Sequence, residues 1–141
     1  MTEIINNQRK IKLDWQIFKD FAESVIRSIS ETVNKSVTIG FVSDRKMRGL
    51  NKQFRGKNSS TDVLSFPFEA DEFETDNENL GDIIISLEQA SRQAEENNLD
   101  LETEIKQLIL HGVLHLCGYD HETDAGEMNA KELKLRAKLG I

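Results

Sequence analysis

Several residue types are scarce in this sequence, and each scarcity excludes something. One cysteine in 141 residues, Cys117, rules out an intramolecular disulfide and suits a reducing cytoplasm. The single proline, Pro67, cannot donate to a ladder, so the strand that carries it is expected to end at a sheet edge. No apolar run approaches the ~18 residues that a membrane span needs. The opening Met1-Thr-Glu-Ile-Ile has neither the basic nor the apolar region of a secretion signal, so a cytoplasmic location is expected. Basic residues are outnumbered, 18 against 25 acidic, for a net charge of −7. That balance argues against a protein that coats nucleic acid over its whole surface, and it gives weight to where the charges sit. No internal repeat is visible. With 38% hydrophobic and 30% charged residues, the chain reads as one globular domain over 1–141, long enough to bury a core.

Histidine is scarce as well, and all three fall in one window, L-I-L-H-G-V-L-H-L-C-G-Y-D-H, from Leu108 to His121. His111 and His115 are four apart, which on a helix puts both imidazoles on one face, a turn apart. Gly118 stands where such a helix can end on a left-handed residue, so that the chain reverses and brings His121 back. Three neutral imidazoles converging on one point make a zinc site with an open fourth position, as in catalytic zinc. Zinc in that frame keeps its full charge and lowers the pKa of bound water to about 7. A lone histidine on an apolar helix is more often a satisfied core residue, but three at this spacing are not explained that way. A closed structural zinc site with Cys117 as fourth ligand is the stronger rival. Cys117 follows His115 by two residues, which on a helix turns it to nearly the opposite side, so it reads as a small buried apolar residue.

Around this window the apolar pattern predicts an α+β domain: a four-stranded mixed, mostly parallel sheet layered with about five helices. Ile4-Ile5, then Ile11 and Leu13, suggest a first strand or ribbon, and Asp14 caps a helix with Phe18, Phe21, Ala22, Val25, Ile26 and Ile29 inward. Val37, Ile39 and Phe41 alternate as a strand, and Ser43 or Asp44 caps a helix from about Arg45 to Phe54. The third strand is Val63–Phe68, an acidic loop spans Glu69–Asn79, and Leu80–Ile85 reads as a strand buried on both faces. Ser86 and Gln89 open a further helix as a capping box, Asp100 caps the histidine helix, and Thr123–Leu139 is expected to be the last helix.

Charge is concentrated on the helix after the second strand. Met47, Leu50 and Phe54 share one side of it; Arg45, Arg48, Lys52 and Arg55 share the other, and no acidic residue interrupts Arg45 to Lys57. An ordinary solvated face explains the outer residues, whereas in an acidic protein a purely basic stripe also suits phosphate. The spacing H-x3-H-x2-G-x2-H matches the ligand frame of metzincin peptidases, whose general-base glutamate follows the first histidine. Gly112 occupies that position here, which weakens a peptidase reading.

Three blocks carry a more specific likeness: H-G-V-L-H-L-C-G-Y-D-H (His111 to His121), R-G-K with T-D-V-L-S-F-P-F-E (Arg55 to Glu69), and L-G-D-I-I-I-S (Leu80 to Ser86). Together they closely resemble the YbeY family, bacterial metal-dependent endoribonucleases of ribosomal RNA maturation, over nearly the whole chain. The resemblance implies one zinc per chain at His111, His115 and His121, and a functionally important Arg55. It also implies a single-stranded RNA substrate, with roles in forming the 3′ end of 16S rRNA and in ribosome quality control. The partners expected are rRNA, the small ribosomal subunit and its assembly factors, with no membrane and no DNA. Arg55 is expected, with His111, His115 and His121, to be catalytic, lining the cleft of the histidines and clamping the scissile phosphate, and Arg45, Arg48, Lys52 and Lys57 join it as candidate RNA contacts. The stretch Lys57-Asn58-Ser59-Ser60-Thr61 departs from the family, where many members have an aspartate and a proline. Two other readings stay open: a zinc hydrolase of another substrate class, and a non-catalytic ribosome assembly factor with a structural zinc.

Overall fold

Side chains alternate along the strand β2 (Ser36–Val42): Val37, Ile39 and Phe41 are buried on one side, while Thr38 and Val42 face the other. In the computed structural model, which describes residues 2–68, 78–119 and 125–141, this strand lies inside a four-stranded sheet. β1 (Glu3–Asn6) pairs parallel with β2, and β4 (Asn79–Ser86) pairs parallel on its other side, with Ile39 opposite Ile83 and Phe41 opposite Ile85. β3 (Val63–Pro67) runs antiparallel along the outer edge of β4, giving the order β1-β2-β4-β3. Pro67 therefore ends an edge strand, as its missing N–H requires. The expected loop over Glu69–Asn79 lies mostly outside the described residues, and Asn79 itself already belongs to β4.

Helices close the first face of the sheet. α1 (Trp15–Ser28) starts at Asp14, whose carboxylate accepts from Gln16 N–H at 3.1 Å, and it buries Phe18, Phe21, Ala22, Val25 and Ile26. α3 (Leu87–Glu96) begins directly at the end of β4, capped by Ser86. α4 (Leu101–Leu116) starts at Asp100, which accepts from Thr103 N–H at 2.7 Å. With α5 (Glu127–Leu139), α1, α3 and α4 share one core with the inward side chains of β2 and β4. Each fully buried Phe, Ile or Leu there contributes about 1.5–3 kcal/mol of hydrophobic stabilisation. A single 3₁₀ turn, Ser30–Thr32, joins α1 to β2.

The second face is covered much less. α2 (Asp44–Arg55) lies on it, and Met47 packs with Val42 and Leu64 in a small separate cluster that half-buried Leu50, Phe66 and Ile84 border. This thin cover corrects one expectation. Ile83 and Ile85 are fully buried, but Ile84 is only half-buried, so β4 is not enclosed on both faces. Two further boundaries differ. Ile11 and Leu13 pack on the core from the irregular segment before α1, outside any strand. α5 starts at Glu127, after Gly126 turns the chain with φ 102°, whereas Thr123, where it was expected to begin, lies outside the described residues.

Candidate metal centre

α4 is apolar nearly all round because it runs through the core: Ile105, Leu108, Ile109, Leu110, Val113 and Leu114 are buried. His111 and His115 interrupt that surface on one face, each half-buried. Their Nε2 atoms lie 3.0 Å apart, with ring centroids at 4.6 Å and the planes crossing at 75°. Two nitrogen ligands of one tetrahedral zinc would be about 3.3 Å apart, given Zn–N distances of about 2.0–2.1 Å. The observed pair, which is also at N–H···N hydrogen-bond distance, is within a few tenths of an ångström of that, so its spacing is compatible with a shared zinc ion. The third expected ligand, His121, lies outside the described residues, as does Asp120 beside it.

On its other side, the His111 ring meets α5. Its Nδ1 is 3.4 Å from Glu132 Oε2, a long hydrogen bond that the buried carboxylate accepts. The other oxygen of Glu132 accepts from Arg136 Nη2 at 3.2 Å, one turn further along α5. Burial pushes the Glu132 carboxyl up, but the hydrogen bond and charge of His111, together with Arg136, outweigh it and hold the group below its usual range. A carboxylate on the far nitrogen of a ligand histidine fixes its tautomer and its orientation. Glu132 was missed from the sequence, although a signal was present. It lies between the inward Met128 and Leu135 on one helix face, where a buried charge needs a partner.

The end of α4 bears out the expected left-handed glycine. Gly118 has φ 95°, its N–H donates to His115 O at 3.0 Å, and Tyr119 N–H donates to Leu114 O at 3.1 Å. These two bonds form a Schellman motif, which satisfies the last carbonyls of the helix and turns the chain. Cys117 is half-buried and packs against the core, somewhat less enclosed than expected. Burial pushes its thiol up to about 11, so without a metal it stays protonated at neutral pH.

His111 opens onto a cleft of about 420 Å³ whose described lining includes Asp62, Leu99, Glu104, Gln107, Glu132 and Arg136. With its amide nitrogen turned to the carboxylates, Gln93 joins two of these, donating to Asp62 at 3.0 Å and to Glu104 at 3.2 Å. Arg55 is not part of that lining. It is exposed at the last position of α2, with Gly56 and then the exposed Lys57 following. The basic stripe divides. Arg45 and Arg48 line a different cleft, of about 560 Å³, together with Arg9 and Lys10, which the sequence reading had not grouped with them. Lys52 is exposed and lines neither cleft.

Fold and site together define a class: a small α+β protein with two convergent imidazoles on a buried helix, one of them backed by a carboxylate from the next helix. Comparison with known proteins gives the family. The family model described as endoribonuclease YbeY matches residues 3–140. The endoribonuclease YbeY of Carboxydothermus hydrogenoformans is 39% identical over 144 residues, covering 100% of this chain and 99% of that protein. That of Nautilia profundicola is 46% identical over 108 residues, covering 77% of this chain and 75% of that protein. The solution structure of TM1509 from Thermotoga maritima matches with a TM-score of 0.66 at 29% identity, covering 99% of this chain and 89% of that one. The chain belongs to the endoribonuclease YbeY family.

Proposed function

We propose that this chain is a zinc-dependent endoribonuclease that cuts single-stranded RNA. Its sphere of action is the cytoplasm, in 3′-end maturation of 16S rRNA and in ribosome quality control, alongside the small subunit and its assembly factors. Family membership supports the ribonuclease activity. The observation that carries the metal part is the 3.0 Å separation of His111 Nε2 and His115 Nε2, with Glu132 on the far nitrogen of His111. No helix among the described residues is long and apolar enough to cross a membrane.

His111 and His115 would hold the zinc, with His121 as third ligand. When bound, the ion is a Lewis acid that polarises a phosphoryl oxygen and offsets the charge that builds up there. The protein's own side chains do the rest. Glu132 keeps the His111 ring oriented. Arg55, at the C-terminal end of α2, binds phosphate through its two-point guanidinium fork, Lys52 and Lys57 add point charges near it, and Arg45 and Arg48 offer further forks from their own cleft.

The peptidase alternative loses ground at Gly112. A Cβ on that residue would lie 2.9 Å from Ile83 Cδ1 and Cγ2, so the place of the metzincin glutamate is filled by the sheet. The experiment combines elemental analysis with cleavage of a single-stranded RNA. The parent is expected to bind one zinc and to cut, and the double variant His111→Ala, His115→Ala to do neither. Stoichiometric zinc in that variant would refute the site. Arg55→Lys, which keeps the charge but loses the two-point fork, is expected to weaken binding of the RNA rather than to slow the cut at saturating substrate.

A further inference from the structure

An aromatic patch lies at the far end of α2, apart from the histidines. Phe54 continues the apolar stripe of Met47 and Leu50, yet Met47 is fully buried whereas Phe54 is 57% exposed. It is not loose. Its ring stands edge-to-face against Phe66 of the edge strand β3, with centroids 5.1 Å apart and planes at 68°. A ring this exposed and yet held in place is available to a binding partner.

The surrounding charge points to the occupant. Arg55 follows Phe54 directly, and Lys57 lies one residue beyond Gly56; both are exposed. No acidic residue occurs between Arg45 and Lys57 in a chain whose net charge is −7. A protein partner with an apolar face would gain nothing from cations beside the rings. An unpaired nucleotide would gain from both, because its base stacks on a ring while its phosphate meets a cation. We infer that Phe54, braced by Phe66, is a stacking platform for an unpaired base of RNA, with Arg55 and Lys57 on the flanking phosphates. The inference rests on the RNA substrate proposed above and adds where a base of that substrate is held.

The test uses the full chain and a single-stranded RNA oligonucleotide carrying 2-aminopurine, whose fluorescence changes when it stacks. Phe54→Ala is expected to weaken binding about tenfold or more and to abolish the fluorescence change, while Phe54→Trp retains both. An oligonucleotide with abasic sites should bind the parent and Phe54→Ala alike. Because Phe54 is mostly exposed, both variants should keep the parent's thermal midpoint. Equal affinity of parent and Phe54→Ala for the 2-aminopurine strand overturns the platform and leaves the RNA substrate standing. A parent that binds no single-stranded RNA overturns both. If the parent is a dimer that Phe54→Ala converts to monomer with RNA affinity unchanged, the patch joins two copies of the chain and the platform is refuted.

Discussion

Gly112 of α4 rests on Ile83 of β4 so closely that a Cβ would lie 2.9 Å from two of its side-chain carbons. The helix of the histidines is thus seated on the sheet at the residue next to His111. A second helical glycine, Gly49 in α2, has nothing within 4 Å of the same construction.

These two glycines should respond to alanine with opposite signs. In an open helix, alanine gains about 0.5–1 kcal/mol over glycine. Overpacking a filled core costs about 1–3 kcal/mol. Gly49→Ala is therefore expected to stabilise the protein and Gly112→Ala to destabilise it, as read from urea denaturation midpoints. Stabilisation by Gly112→Ala would mean that α4 does not press on Ile83.

Glu132 should govern zinc through His111 without touching the ion. Glu132→Gln is expected to lower zinc affinity about 10- to 100-fold, measured by competition with a chromophoric chelator. Undiminished affinity would reduce the contact with His111 Nδ1 to packing.

Gly118→Val places a β-branched residue at φ 95°, a cost of about 1–3 kcal/mol. It should also weaken zinc binding, because the turn after α4 carries the chain on to His121. Gly118→Asn, which tolerates the left-handed region better, should lose less on both measurements. Equal behaviour of the two variants would contradict the strained turn.

Asp44 predicts a pH dependence. Burial raises its carboxyl, but bonds from Ser60, Arg92 and Ser86 outweigh that and hold it below its usual range. Its contribution is complete above the unfolded value of about 3.9 and is lost as the pH falls through the lower folded value. Asp44→Asn should cost about 1–3 kcal/mol at pH 7. In urea denaturation the gap between parent and variant should narrow below about pH 4. A gap that stays constant to pH 2 would count against the charged network.

What could be read from the sequence was mostly local. Asp14, Ser86 and Asp100 cap their helices where expected, because a cap depends on a side chain and an N–H two or three residues on. Pro67 gave away the edge strand because a missing N–H has few places to go. Residues whose meaning depends on a distant element were harder to read. The tie from Glu132 to His111 exists only after α5 docks on α4, 21 residues along the chain. Ile84 and Phe54 carry apolar side chains that periodicity assigns to a core, but their exposure follows from how little covers the second face. Arg55 was expected to line the cleft of the histidines, but it ends α2 and is absent from that lining, because a residue at a helix end takes its surroundings from how the helix docks and not from the local pattern.

The two faces of the sheet also differ in how tightly they hold their backbone amides. α2 is anchored by Met47, by the buried Asn51, whose amide donates to Ser59 O at 2.8 Å, and by the Asp44 network at its start. α4 is anchored by eight buried residues. Opening of α2 therefore costs much less than global unfolding, and its amides should exchange with solvent well before those of α4. The cations of α2 thus ride on the more yielding face of the sheet, and the imidazoles of α4 on the firmer one.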